Sequence, residues 1–446
     1  MTTPGAADVA SRSVRGIRAR LTSYGRPPRV LGIDLARGLA VLGMFGAHVG
    51  VAGGAFDWST PSTWSSIVEG RSSILFAVVA GVSIALVTGG RGRLEGDALV
   101  RARLKLFARG ALIFLIGGLL EYLGTGVAVI LPVYGALFLL AAAFLRMRIR
   151  TLLLIAGALC LVAPLPAIFP CVYSATTDPI LFGTYPVPIW LAFVLVGMAL
   201  GRSDLTSVRV IVRIGVAGVL LAALGYGTGV AAVSLLPATS SDDPFATSSY
   251  EDPTIVPAAD VDMTGLECED YSDRTYYCYD PATVIGDGDG DGGDEGVDGE
   301  TGEPAWWDEL DPSYLISVDP HSGTTFEMVG STGFALAVIA LCLALARPLR
   351  WVLLPLAALG SMPLSAYSVH IVAIALIPDA IGGIEGAYLW PWFTIVALVA
   401  CTAWWLLIGR GPLERLLGIA ADAAAGVRTP RRRRPPGGSG APDERP

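Results

Sequence analysis

A chain of 446 residues that is 53% hydrophobic and only 16% charged, with a mean hydropathy of +0.59, is too poor in charge for a soluble domain, which carries nearer a quarter. Soluble globular and disordered classes are excluded, and apolar runs of about the 20 residues needed to cross a bilayer point to a polytopic membrane protein. The net charge of -8 averages an acidic segment at 238–320 against Arg-rich ends and loops, so partners are inferred segment by segment; the lipid bilayer is one, and no nucleic acid is expected.

The first 29 residues carry Arg12, Arg15, Arg18, Arg20, Arg26 and Arg29 but no short apolar core followed by a small-residue cleavage site, so no cleavable signal peptide is expected. Apolar runs bounded by charge then predict helices near 31–53, 72–90, 105–123, 126–145, 151–170, 183–201, 208–235, 324–346, 350–377 and 387–409. The expected fold is all-α, a polytopic membrane helix bundle of about ten transmembrane helices with one long acidic extracytoplasmic loop. Residues 1–29 form a basic cytoplasmic tail, 30–236 hold helices one to seven, 237–322 an acidic and largely disordered insert, 323–410 helices eight to ten, and 411–446 a basic disordered tail.

Alternate connections agree on orientation, because positively charged segments resist translocation. Arg91, Arg93, Arg101, Arg103 and Lys105, then Arg146, Arg148 and Arg150, then Arg202 and Arg209, then Arg347 and Arg350 fall on one side together with both tails. That side is cytoplasmic. The other connections, with Asp57, Glu69, Glu121, Asp178, the insert, Asp379 and Glu385, face outward. The low-complexity run at 286–300 within the insert cannot bury a core. Its Asp287, Asp289, Asp291, Gly292, Glu295 and Asp298 match calcium-loop spacing but lack the bidentate Glu and flanking helices, so a solvated linker is favoured and no metal is expected. Trp306 and Trp307 fit the membrane interface better than a sugar platform. Cys160, Cys342 and Cys401 are core residues, whereas Cys268 and Cys278 share an oxidising loop and are expected to form a disulfide.

Ionisable groups inside a bilayer are costly and therefore functional candidates, with ion pairing between helices as the alternative. In GIDLARGLAVLGMFGAHVG, Asp34, Arg37 and His48 share one helix face, and His48 lies roughly 16 Å beyond Arg37. His321, just before helix eight, and His370, far along helix nine, fall at the same outer depth, and Glu327 lies in the first turns of helix eight. Three histidines at one level point to an outward-facing polar site suited to proton transfer. Helix contacts, caps and packing are the competing roles for His48, His321 and His370. Asp34 and Arg37 either pair structurally or serve a donor site; Arg71 either binds an anion or is neutralised by Glu69. Arg101, Arg103, Lys105 and Arg109 are orientation signals first and phosphate ligands of a nucleotide-like donor second. No P-loop, Rossmann fingerprint or nucleophile elbow occurs. Prolines 132, 186, 188 and 363 would allow the broken helices of secondary transporters.

The opening RVLGIDLARGLAVLGMFGAHV, then GRSSILFAVVAGVSIAL, ILPVYGALFLLA, TYPVPIWLAFVLVGMALGR and the later PHSGTTFEMVGSTGFALAVIALCLALAR and PLAALGSMPLSAYSVH resemble a bacterial, chiefly actinobacterial, membrane group. That group is related to heparan-alpha-glucosaminide N-acetyltransferase and, more distantly, to integral membrane acyltransferases of the cell envelope. The resemblance spans most of 29–410 apart from the insert. It implies transfer of an acyl group, usually acetyl, from cytoplasmic acyl-CoA to a glycan or glycolipid acceptor across a bacterial plasma membrane. In the broader superfamily an Arg in the first helix is followed eleven residues on by a His, here Arg37 and His48. In the heparan enzyme the catalytic His instead follows the first helix, and this chain has none between residues 49 and 71. His48 then acts as general base or itself takes the acyl group, oriented by Glu327 or Glu69, with His321 positioning the acceptor and Arg37 and the helix-three cations holding the donor. His370 is a further substrate-site candidate. A proton-coupled secondary transporter or lipid flippase is the alternative, and a homodimer is compatible with either. Lys105 as the sole lysine fits a GC-rich bacterial coding sequence.

Overall fold

The computed structural model describes residues 16–26, 29–49, 63, 66, 68–90, 92, 94–168, 184–235, 267–272, 275–279, 315–376 and 389–426. A helix was expected in each of ten apolar segments, and each contains one. They are α1 (Leu31–Val49), α2 (Arg71–Val87), α3 (Gly96–Glu121), α4 (Leu131–Ala141), α5 (Ile149–Val162), α6 (Val187–Gly201), α7 (Val208–Leu235), α8 (Thr325–Leu345), the pair α9 (Leu354–Gly360) and α10 (Pro363–Leu376), and α11 (Leu389–Leu407). Four of these are long and apolar enough to cross a membrane, or up to five with the α9–α10 pair taken as one span. The others are shorter or, like α3, carry charge along their first turns.

Three departures from the sequence reading have physical causes. The continuous helix expected at 350–377 is broken by 84° between α9 and α10. Pro363 begins the second half, where its missing N–H costs nothing. The third expected helix begins nine residues early, at Gly96, so Arg101, Arg103 and Lys105 ride on helix rather than loop. Inside the carboxy-terminal tail expected to be disordered, Pro412–Ala424 forms an amphipathic helix, α12. Its Lys105–Asp422 ion pair at 2.7 Å ties it to α3. Glu414 accepts from Ser365 N at 3.1 Å and Ser365 Oγ at 2.5 Å, which caps the exposed amides at the start of α10.

The helices meet backbone to backbone. In α1, a Cβ at Gly32 would clash with Leu343 of α8, at Gly38 with Leu356 of α9, at Gly43 with Ser72 of α2 and at Gly46 with Trp390 of α11. Gly81 and Gly197 do the same for α2 against α6, and Gly218, Gly225, Gly330 and Gly333 for α7 against α8. Small residues are the usual means of close helix approach in lipid, where apolar side chains gain nothing by leaving the bilayer. The outer faces are correspondingly greasy: Val212, Val216, Val219 and Leu220 of α7 are all exposed. Arginines at the charged end also serve the backbone. Arg202 donates to the carbonyls of Phe144, Leu145 and Met147, and Arg20 to those of Leu406 and Ile408, satisfying helix C-termini.

Residues 236–308 form a separate unit. Within it, β1 (Glu267–Ser272) and β2 (Thr275–Tyr279) pair antiparallel, and the register sets Cys268 opposite Cys278. The calcium-like run at 286–300 and Trp306 and Trp307 lie outside the described residues.

Two consequences can be measured. Gly360→Ala puts a Cβ against the Asp34 carbonyl and 2.7 Å from Gly38 N; since neither backbone atom can yield, thermal unfolding in detergent should show a loss of about 1–3 kcal/mol. Gly157→Ala, with nothing within 4 Å, should lose nothing and gain up to about 1 kcal/mol of helix propensity. With a Cys268–Cys278 bond, thiol labelling of the denatured, unreduced chain should modify only the other cysteines, and all 6 after reduction; labelling of all of them without reductant removes the bond.

Candidate active site

His48 occupies the last turn of α1, at the end of the bundle opposite the Arg-rich connections. Its Nδ1 lies 2.8 Å from Nε2 of His370 on α10, and the two rings are nearly parallel, 12° apart with centroids at 5.1 Å. Tyr367, one turn before His370 and so on the same face, stands edge-on to both rings. Phe45, one turn before His48, covers the His370 ring at 4.5 Å. His370 is 3% exposed. Tyr367 Oη forms no hydrogen bond of standard geometry and faces the Ile130 backbone.

A cavity of about 30 Å³ opens beside this pair, lined by His48 and Tyr367 together with Ser72, Ser73, Tyr185 and His321. It is large enough for a water molecule or two. Ser72 and Ser73 enter because α2 begins here, after Gly70 turns with φ 63. A side chain at Gly70 would press on Pro320, so this turn abuts the one that presents His321.

His321 is held in an unusual backbone conformation, with φ 68, and Gly323 follows with φ 66. Glu327 explains how. Its Oε1 accepts from His321 N at 2.9 Å and its Oε2 from Gly323 N at 2.6 Å and Ser322 Oγ at 3.3 Å. Thr324 caps α8 by accepting from Glu327 N at 3.0 Å and donates to the Ser317 carbonyl at 2.6 Å. This is an extended relative of the Thr-x-x-Glu capping box. It aims the His321 ring edge-on at Tyr185, 5.5 Å away, and over the cavity. Surrounding protein disfavours the imidazolium, so His321 has a pKa below the ordinary value although part of its surface is open.

The structure thus gathers His48, His321 and His370 and assigns Glu327 to the turn. The hydrogen-bond partner of His48 is a second imidazole, not a carboxylate. Glu69 sits half-buried ahead of α2, where burial raises its pKa and the Arg71 charge lowers it. Arg71 donates to Tyr226 Oη and the Ser66 carbonyl, both at 3.1 Å, and lies over the Tyr226 ring. It clamps α2 to α7, and through the Tyr226–Ser331 hydrogen bond to α8. Arg37 is farther away: it pairs with Asp34 at 3.1 Å, donates to the Gly360 carbonyl at 2.8 Å and to Ser83 Oγ at 2.7 Å. Arg103 donates to the Ala142 carbonyl at 3.2 Å, and Arg109 lies in the field of Asp422 and Arg410 beside α12. Neither touches the cavity. Sequence reasoning missed Tyr367, Tyr185, Ser72 and Ser73; the three-residue step from Tyr367 to His370 was the available signal for the first. Among the described residues no three His, Cys, Asp or Glu side chains converge as a metal site.

Separating the turn from the chemistry is straightforward. Thr324→Ala should cost about 1 kcal/mol of stability through the lost cap, and Glu327→Ala about 1–3 kcal/mol because buried turn donors lose their acceptor, both read from thermal unfolding. A Glu327→Ala protein as stable as the parent would remove the clamp role.

Residues 29–215 match the model for the catalytic region of heparan-alpha-glucosaminide N-acetyltransferase. The match takes in α1 to the first turns of α7, and with them His48, Ser72, Ser73 and Tyr185. No curated protein and no solved structure matches the chain. The apolar helices and this match mark a membrane protein that is similar, over residues 29–215, to the catalytic region of heparan-alpha-glucosaminide N-acetyltransferase.

Proposed function

We propose that this protein is a membrane acyltransferase that moves an acyl group, acetyl in the simplest case, from cytoplasmic acyl-CoA to a hydroxyl or amine of a glycan or envelope acceptor on the far side of a bacterial plasma membrane. The observation that carries the reading is His48: it stands in the stretch matched to an acetyltransferase catalytic region, lines a cavity and is held by a second histidine. His48 takes the acceptor's proton as the nucleophile attacks the thioester, or accepts the acyl group first. His321 and Tyr185 orient the acceptor from the opposite wall. The cavity admits water but neither substrate, so binding must widen it, and the turn at His321, the entry to α2, Ile130 and Tyr185 form the walls free of helix.

Donor phosphates are better served by a second cleft than by Arg37, Arg103 and Arg109, which are engaged elsewhere. That cleft, of about 410 Å³ at the Arg-rich end, is lined by Arg148 and Arg150, with Arg202 holding its wall through the carbonyls of Phe144, Leu145 and Met147. In this reading both termini and the Arg-rich end are cytoplasmic, and the bundle crosses the membrane about ten times, short helices included.

A secondary transporter remains the second reading because of the 84° break between α9 and α10, the kind of discontinuous helix that transporters use at substrate sites. Binding of acetyl-CoA to the purified full-length protein in nanodiscs separates the two. Saturable binding is expected, with turnover or label retention that falls roughly 10²–10⁴-fold in His48→Ala, the range of a lost general base. Absence of binding across a panel of acyl-CoAs would overturn the acyltransferase and direct the next assay to proton-coupled flux.

A further inference from the structure

We infer that His370 is the positioning residue of this site, accepting the Nδ1–H of His48 and thereby fixing the tautomer in which His48 Nε2 holds its lone pair toward the cavity. The catalytic consequence rests on the acyl-transfer reading above; the tautomer does not.

A 2.8 Å contact between two imidazole nitrogens holds one proton when both rings are neutral, and two arrangements are open. Either His48 Nδ1–H donates to His370 Nε2, or His370 Nε2–H donates to His48 Nδ1. The far side of His370 decides between them. Its Nδ1 is buried, forms no hydrogen bond of full geometry, and faces the carbonyl of Tyr367, one turn back on α10. An N–H toward a carbonyl oxygen is attractive, whereas a lone pair toward it is repulsive. His370 therefore carries its proton on Nδ1 and presents a bare Nε2, which only the first arrangement satisfies. Phe45 closes the ring off from water. The titratable groups that act on the pair are each other and, for His48, His321 across the cavity.

The tautomer matters because both chemical routes need the same lone pair. As general base, His48 Nε2 takes the proton from the acceptor O–H or N–H while that atom bonds to the acyl carbon. The carbon–sulfur bond breaks, and the thiolate leaves with the proton returned from Nε2. Acceptor–acyl and S–H bonds replace acceptor–H and C–S, with no further reactant. As nucleophile, the same nitrogen attacks the thioester carbon, the carbon–sulfur bond breaks and the thiolate leaves. The acceptor then attacks the acyl-imidazole, the nitrogen–acyl bond breaks, and the acceptor's proton passes to the thiolate, so that the net exchange of bonds is the same. In either case Nδ1–H stays directed at His370, the service a carboxylate performs in hydrolase triads.

The test is nitrogen NMR of the full-length protein, ¹⁵N-labelled at histidine, in nanodiscs near neutral pH. The chain has 3 histidines, so single substitutions assign each ring. The expected spectrum shows His48 with a protonated Nδ1 and a bare Nε2, and the same for His370; His370→Phe moves His48 toward averaged shifts, and His370→Gln, which keeps an acceptor oxygen, restores part of the bias. A wild-type His48 protonated at Nε2 overturns the inference without any variant having to fold. With acyl-CoA turnover in hand, His370→Phe should lower kcat about 10- to 100-fold, the effect of losing a group that orients a site histidine, with KM little changed, and His370→Gln should recover part of it. A loss confined to KM also overturns the inference. The spectra require no acyl donor, so they decide the tautomer even where the acyltransferase reading fails.

Discussion

The position of α1 is the constraint on which everything else depends. Four glycines along one helix let four different neighbours approach closely, α8 and α9 by their backbones at Gly32 and Gly38, and the Ser72 side chain and Trp390 ring at Gly43 and Gly46. Arg37 adds the polar counterpart. Its guanidinium joins Asp34 on its own helix, Ser83 on α2 and the Gly360 carbonyl where α9 ends. A carbonyl at a helix end lacks an intrahelical donor, so this one interaction both satisfies a buried charge and fixes the site of the break.

From that break a chain of contacts runs to the histidine pair. α10 leaves α9 at 84°, and its first amides would be orphaned there without Glu414, which α12 brings to Ser365. His370 follows five residues later, on the buried face with Tyr367. On the other side, His48 is set by α1 itself, about 16 Å along the helix from Arg37. The pair therefore forms where two independently anchored helices converge. Asp34 and Arg37, expected at the donor site, anchor the opposite end of the same assembly.

Much of this was legible in sequence because hydropathy reports burial in lipid directly. Each apolar segment is helical, and the shared depth of the three histidines, argued from helical rise alone, brings His48 to His370 and His321 to the same cavity. What sequence could not show was tertiary in origin. Glu327 looks like an intramembrane carboxylate by position, yet its partners are amides at 321 and 323 whose left-handed turn no local propensity of His321 would predict. The bend at 361–362 was legible only in part: Pro363 marked a possible break, but both halves are apolar and read as one run. The α12 helix was hidden for the opposite reason: its charges, which suggested a solvated tail, are ligands for α3 and α10.

A histidine oriented by a histidine suits this setting. A carboxylate beside His48 would need its own donors, since an ionised group in an apolar interior is costly unless paired and hydrogen-bonded. Among the described residues, a fully buried carboxylate near the cavity illustrates the requirement: Glu327 is accommodated by three donors from a single turn. A neutral imidazole acceptor avoids that demand, and it can be buried against Phe45 and Tyr367 as an aromatic ring. It stabilises the imidazolium less than a carboxylate would. In the proposed acyl transfer, that favours return of the proton from His48 to the departing thiolate.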